Sequence, residues 1–422
     1  MVFVAPAVGE LDTGEAMLAA QQRVSGAALS AAQASVDSGA PLWFVVQHGE
    51  VSHGPLWGLG RVLALEHPEI WGGLIERDVS TPASAIIDAI AQRDEDMISL
   101  SGPERRVARL VRISARGQAF AIRGDGTYLV TGGYGALGLR VAEWLVERGA
   151  RALVLVGRSA ASPAVRERVR HLEQRGARVE LVAADVAVTA DVVRVIRDIH
   201  DAMPPLRGVI HCAGVLDDGI VMQQTWSRFE RVMAPKIVGA WNLHLATSDA
   251  SLDFFILFSS AAALLGSPGQ SGYAAANAFL DALARARNAR GLPAMSLAWG
   301  PWADGGMAAS ATAAHDEIVR HMAPDQAIYA MEQALGLSRA HIGIIDANFA
   351  RWNAPRGART AFISELLPTG EVEVAATTLS MDAFINEPAE QRPMILARLL
   401  GAELAKVLQA SPESIDLDAS VT

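Results

Sequence analysis

TYLVTGGYGALG, residues 127–138, runs from a strand-forming stretch straight into a glycine turn, and a helical pattern follows it through Glu147. The strand is Thr127–Thr131, after which Gly132, Gly135 and Gly138 recur at every third position. That spacing allows a tight turn, close approach of backbone to a pyrophosphate, and close packing of helix on strand. The helix N-terminus would present free N–H groups and its positive dipole end to phosphate oxygens. The turn reads as a dinucleotide site, with Thr131, Gly132, Gly133, Tyr134, Gly135, Ala136, Leu137 and Gly138 as its contacts. A glycine-rich strand–helix turn without a ligand is the alternative.

Outward from this turn the chain keeps the same alternation. Strand-like runs are expected at 152–157, 179–183, 208–211, 253–258, 294–299 and 342–345, with helical stretches between most of them. Continuous apolar strands separated by helices imply an α/β fold, a doubly wound parallel sheet covered on both faces. Residues 1–123 show weaker βα layering, with strands at 2–5 and 42–46, helices at 13–34 and 56–66, and no catalytic constellation. Opening on a strand suggests a piece of something longer. Residues 347–385 carry scattered Pro and Gly and read as a linker. Residues 387–410 form an amphipathic pattern with Leu399, Leu400 and Leu404 on one face, a stripe that one helix cannot bury alone.

Composition bounds the function. The chain has 422 residues, half of them apolar, with 36 basic against 46 acidic side chains. A net charge of −10 speaks against a nucleic-acid partner. Cys212 is the single cysteine, which excludes intrachain disulfides and leaves no cysteine-built metal site. There is no apolar run long enough to span a membrane, and the expectation is a soluble, cytoplasmic protein. Only two of the basic residues are lysines, Lys236 and Lys406. Where arginine serves everywhere else, a lysine can mark a site that arginine would not suit.

The second strand ends at Val156-Gly157-Arg158-Ser159. An NAD site would place a carboxylate near here for the ribose 2′-hydroxyl. Arg158 and Ser159 instead suit a 2′-phosphate, so the cofactor expected is NADPH; a solvated arginine in a turn is the alternative. Asp185 and Val186 follow the third strand, facing the adenine in this reading. Ala213 and Gly214 follow the fourth, where small residues let backbone approach the ribose.

Ser260 closes the fifth strand and Tyr273 begins the stretch Tyr273-Ala-Ala-Ala-Asn277. This pattern resembles the short-chain dehydrogenase/reductase superfamily. TGGYGALG, LVLVGRS, HCAGVLDDG, APKIVGAWNLH, LFSSAAALLGSPGQSGYAAANAFLDALA and AWGPWADGGM together are similar to the ketoreductase domain of a modular type I polyketide synthase, over about residues 40–350. The chemistry agrees. Reducing a ketone needs hydride at carbon and a proton at oxygen. Tyr273 can give the proton, a nearby ammonium would lower its pKa from about 10, and Ser260 can hold the carbonyl. In most of the superfamily a lysine lies four residues after the tyrosine, where this chain has Asn277. The polyketide branch exchanges the two, and Lys236 occupies the matching Ala-Pro-Lys context. The planar, permanently charged guanidinium of an arginine would not replace it.

The resemblance implies more. Pro301 and Trp302 would lie near the nicotinamide and open a substrate lid that includes Met307. Leu216-Asp217-Asp218, with Leu265 where L-product domains carry tryptophan, implies a B-type enzyme giving the D-3-hydroxy product; Ala275 in place of proline gives the B1 pattern, and Gln270 joins the stereocontrol set. A solvated acidic loop is the alternative for the two aspartates. Residues 1–123 would be a degenerate Rossmann-like structural subdomain, shorter than usual, and 124–350 the catalytic one. Residues 351–385 would link to 386–422, the start of an acyl carrier domain that stops before its phosphopantetheine site. The implied partners are an acyl carrier protein with its phosphopantetheine-bound β-ketoacyl group and other synthase domains in cis. A catalytically silent NADPH-binding scaffold is the competing function. A nucleotide-sugar epimerase-like relative predicts lysine at 277 and meets asparagine.

Overall fold

The computed structural model of the chain describes residues 1–114, 121–303, 319–349 and 361–367, with Pro388 and Arg392. Contacts divide the chain into two compact units, Met1–Leu367 and Pro368–Thr422, and the elements below all belong to the first. The amphipathic stretch 387–410 falls, but for Pro388 and Arg392, outside the described residues, as do Met307 and most of 351–385.

The N-terminal sheet holds β1 (Val2–Val4), β2 (Leu42–Gln47), β3 (Trp71–Arg77), β4 (Met97–Ser101) and β5 (Glu104–Val107), side by side in that order. β1 to β4 run parallel and β5 turns back antiparallel to β4. The charges of β5 (Glu104, Arg105, Arg106) suit an edge strand that solvent covers. Their polarity hid β5 from an apolar-run reading. The expected helix over 13–34 is two helices, Gly14–Gln21 and Ala27–Ser38, joined by a π turn at Gln22–Gly26. Thr13 caps the first, accepting from the Ala16 N–H at 3.0 Å.

The larger sheet is built, among the described residues, from β6 (Thr127–Thr131), β7 (Ala152–Gly157), β8 (Arg178–Ala183), β9 (Leu206–His211), β10 (Phe254–Ser260) and β11 (Met295–Trp299), with β13 (His341–Ile344) at its far edge. β12 (Val319–Arg320) and β14 (Asp346–Ala347) pair separately. The order is β8-β7-β6-β9-β10-β11-β13, every neighbouring pair parallel. Strand order reverses between β6 and β9, and in such sheets the crevice at that switch point, beyond the strands' carboxyl ends, takes the ligand.

Alternation along β6 explains how both faces are covered. Tyr128 and Val130 join the apolar cluster under helices Ala136–Glu147, Pro163–Gln174 and Pro324–Leu335. Leu129 points the other way, into a cluster shared with helix Ser271–Ala289. That second cluster continues into Phe44, Leu56 and Leu63 of the N-terminal sheet and its helix, so the two sheets share one core. The seam is tight. Helix Pro55–Glu66 crosses helix Ser271–Ala289 at Gly58, where a Cβ would lie 2.1 Å from the Ala274 carbonyl oxygen.

Residues 361–367 dock on this body. The Leu110 N–H donates to the Phe362 carbonyl at 2.7 Å, Ile363 is fully buried, and the Arg61 guanidinium sits 3.6 Å over the Phe362 ring. Burial pulls Arg61 down to about 10. No helix among the described residues is long and apolar enough to cross a membrane.

Candidate active site

The glycine turn closes on itself. Gly132 has φ +68°, and a Cβ there would stand 2.8 Å from the Ala213 nitrogen. At Gly138 it would stand 2.4 Å from the Gly132 carbonyl oxygen. Gly135 starts helix Ala136–Glu147 with no side chain over its first turn, so the orphan N–H groups of that turn stay available. A cavity of about 480 Å³ opens there. Gly132, Tyr134, Gly135, Ala136, Leu137 and Gly138 line one side; Arg158 and Ser159 lie at the end of β7, Asp185 and Val186 after β8, and Ala213 and Gly214 after β9. All these expected contacts therefore meet in one crevice at the switch point.

Four others stand apart from it. Thr131 is buried behind the turn, its hydroxyl 2.7 Å from His211 Nδ1. The Gly133 N–H donates to the Val156 carbonyl at 3.0 Å. Pro301 and Trp302 are absent from the lining: the Pro301 carbonyl accepts from the Met322 N–H, and Trp302 packs edge-on against Trp299 at 5.1 Å. Cys212, read from the sequence as a packing residue, does line the cavity, as do Ser162 and Pro235. Burial pushes the Cys212 thiol well above its ordinary value, which makes it an inert wall. A nicotinamide dinucleotide fits this crevice on the chemistry present: a cradle too close for side chains, an uncapped helix N-terminus, and the exposed Arg158 at its rim.

The chemical groups converge beside the carboxyl end of β10. Ser260 ends that strand and caps the short helix Ala261–Leu265, its hydroxyl accepting from the Ala262 N–H at 3.2 Å. Tyr273, half-buried, stands in the first turn of helix Ser271–Ala289, one turn before Asn277. The Asn277 amide nitrogen donates to the Tyr273 carbonyl at 2.8 Å. Its Oδ1 is buried without a partner among the described residues. Lys236 arrives from a separate helix, in a π turn at Ala234–Val238. It is 2 % exposed, donates to the Phe258 carbonyl at 2.9 Å, and lies 5.5 Å from the centre of the Tyr273 ring.

Electrostatics differ from the simple expectation. Burial raises the Tyr273 phenol, while hydrogen bonding from Ser260 and then Asn277 lowers it and Asp218 raises it further. Desolvation wins, so the net shift is upward rather than the downward one expected from a neighbouring ammonium. The lysine itself yields: burial brings it down to about 8, against the opposing pull of Cys212 and Asp281. His211 is held near 3 by burial and then by the Lys236 charge, and stays neutral.

Beside this cluster Asp217 is tied down, while Asp218 stays exposed. The Asp217 carboxylate, 11 % exposed, pairs with Arg228 at 2.7 Å and Arg231 at 2.6 Å. Asp218 accepts from the Gln270 amide at 3.1 Å, and Leu216 is half-buried just before them. Leu265 goes elsewhere, into an apolar cluster with Val319, Phe362 and Ile363.

A family model described as the KR domain matches residues 126–304. The solved structure of the first ketoreductase of the tylosin polyketide synthase is 32 % identical, covers 84 % of each chain and superposes with a TM-score of 0.72. An A-type ketoreductase from a modular polyketide synthase is 36 % identical over 82 % of this chain and 77 % of its own, with a TM-score of 0.73. The chain belongs to the polyketide synthase ketoreductase domains.

As such a ketoreductase it is an oxidoreductase of the short-chain dehydrogenase type, dependent on a nicotinamide cofactor and acting on ketoacyl groups. Polyketide synthase GfsA of Streptomyces halstedii is 40 % identical over 92 % of this chain, which spans 6 % of that protein. A phenolphthiocerol/phthiocerol polyketide synthase polypeptide of Mycobacterium tuberculosis is 36 % identical over 90 % of the chain, which spans 21 % of it. A C2-type ketoreductase shares the fold with a TM-score of 0.72. Ketoreductases described as A-type and as C2-type thus share one architecture with this chain.

Proposed function

We propose that this ketoreductase reduces the β-keto group of a carrier-bound acyl thioester with NADPH and gives the D-3-hydroxy product. One observation carries the reading: Ser260, Lys236 and the pair Tyr273 and Asn277, from three separate elements, gather at the end of β10 in the sheet whose switch point bears the glycine cradle. NADPH held in the crevice of Gly132, Gly135 and Arg158 would supply the hydride for the carbonyl carbon. Ser260 holds the carbonyl oxygen by a hydrogen bond, and Tyr273 gives that oxygen its proton. The Lys236 ammonium counters the charge left on the phenol, and Asn277 fixes the helix turn beneath it. Arg158 and Ser159, in the lining where a carboxylate would have favoured NAD, support the 2′-phosphate.

Leu216, Asp217 and Asp218, the last of them bonded to Gln270 beside Tyr273, support the B-type product. In this reading the enzyme works in the cytoplasm, on an acyl carrier protein's phosphopantetheine arm and among other synthase domains in cis; the polyketide synthases of which the chain spans only a fraction support the last of these. In the same reading, residues 1–123 are the structural half, 124–350 the catalytic half, 351–385 a linker and 386–422 the start of a carrier domain.

The test is NADPH oxidation with a simple β-ketoacyl thioester, the product resolved on a chiral column. Mainly D-3-hydroxy product is expected. Tyr273→Phe should bind NADPH normally and turn over about 10²–10⁴-fold more slowly. Mainly L product would overturn the stereochemical reading alone. Saturable NADPH binding with no turnover would make the domain a silent scaffold.

A further inference from the structure

Two side chains of the N-terminal half reach across the seam to the loops that flank Tyr273. Glu66, the last residue of helix Pro55–Glu66, accepts from two backbone N–H groups in different loops: Val221 at 2.7 Å through Oε2, and Gly269 at 2.6 Å through Oε1. Gln33, on helix Ala27–Ser38, donates to the carbonyls of Val221 at 3.0 Å and Gln224 at 2.9 Å. The first loop begins with Leu216-Asp217-Asp218 and the second leads directly into Tyr273. The two loops also bond each other, Gly219 N–H to the Gly269 carbonyl at 2.7 Å and the Gln270 amide to Asp218 at 3.1 Å.

We propose that Glu66 and Gln33 are positioning residues that fix the gap between the 216–224 loop and the 269–273 turn, and so set the side from which the acyl chain reaches Tyr273. The inference rests on the reductase reading above. A carboxylate bridging two N–H donors is a short, charge-assisted clamp, and it joins the two loops that bring Asp218 and Gln270 together. Neither Glu66 nor Gln33 is among the side chains gathered around the Tyr273 hydroxyl. They act through the loops they hold. Facial selectivity is a difference between two approach energies, so a small change in the gap registers there first.

Glu66→Gln is nearly isosteric but turns one acceptor into a donor, which then faces an N–H. Made in the full chain, it is expected to bind NADPH with unchanged Kd, raise KM for the thioester, and lower the D:L product ratio about tenfold, equal to about 1.4 kcal/mol between the two approaches. Gln33→Ala, which only removes two donors, is expected to move the ratio the same way and decides the matter should Glu66→Gln fail to fold. Turnover with wild-type KM and D:L ratio in the folded variants would overturn the positioning role. A wild-type protein without turnover would instead overturn the reductase reading, and this inference with it.

Discussion

Lys236 is where a single residue carries opposing demands. Its ammonium is 2 % exposed and donates to the Phe258 carbonyl. Burial brings its pKa to about 8 from 10.5, and a shift of that size is on the order of 3 kcal/mol. The folded pKa lies below the unfolded one, so the cost is present in full below pH 8 and is relieved as pH rises from 8 to 10.5. In the proposed mechanism reduction runs the other way, because it uses the ammonium. Reductase kcat/KM is therefore expected to fall as pH rises through about 8, and a pH–rate profile reads it. Lys236→Met should lose that limb and slow the reaction about 10²–10⁴-fold. Its stability at pH 7 should stay within about 2 kcal/mol of wild type, since removing a buried charge offsets the orphaned Phe258 carbonyl; urea denaturation measures this. Lys236 was singled out in the sequence by its Ala-Pro-Lys context in the family resemblance, with the rarity of lysine as a secondary cue. Its bond to Phe258 was not, because that depends on where β10 ends relative to a π turn.

Among the elements, the crossing of helices Pro55–Glu66 and Ser271–Ala289 bears most on the proposed catalysis, since the second helix carries Tyr273 and Asn277. Gly58 permits it: a Cβ would meet Ala274 backbone at 2.1 Å, which no rotamer change relieves. Gly58→Val should destabilise by about 3 kcal/mol or more through overpacking, read as a lower urea midpoint, and should lower kcat as the helix shifts. Gly9→Ala, where nothing stands within 4 Å, should change neither. An unchanged midpoint in Gly58→Val would mean that the helices do not cross this closely. The strands of the larger sheet, and β1 and β2 of the smaller, were legible to within two residues, because a strand covered on both faces is a bounded apolar run; β3 and β4 were missed, their short apolar centres flanked by glycine, serine and charge. The charged β5 and the two-residue β12 and β14 gave no such signal. Both π turns interrupt a period that sequence reading assumes constant. The tyrosine and serine proposed for catalysis were singled out by order and spacing, the lysine and asparagine by the family resemblance, and the structure brings the four side by side. The Glu66 and Gln33 contacts were not: Glu66 meets Gly269 across 203 residues, side chain to backbone, and no local pattern encodes that.

At the scale of the molecule, one apolar cluster runs from Phe44 and Leu56 of the N-terminal sheet to Leu129 and Leu257 of the larger one. No phosphate-binding glycine turn serves the smaller sheet, yet it shares the interior on which the cofactor crevice rests. Elements joined by a continuous core open together, and a ligand that binds only the folded state raises the free energy of that shared opening. The slowest-exchanging backbone amides of β2 and β3 should therefore show the same opening free energy as those of β6 and β9. With NADPH at about 100 times its Kd, both sets should gain about 2.7 kcal/mol. Native-state hydrogen exchange by mass spectrometry measures both in one experiment. Equal gains would mean that the smaller sheet is energetically part of the cofactor site. Protection of β2 and β3 that is lower and indifferent to NADPH would mean that the shared core is a contact between independent folding units, and the Glu66 clamp would then be holding the loops to a support that opens on its own.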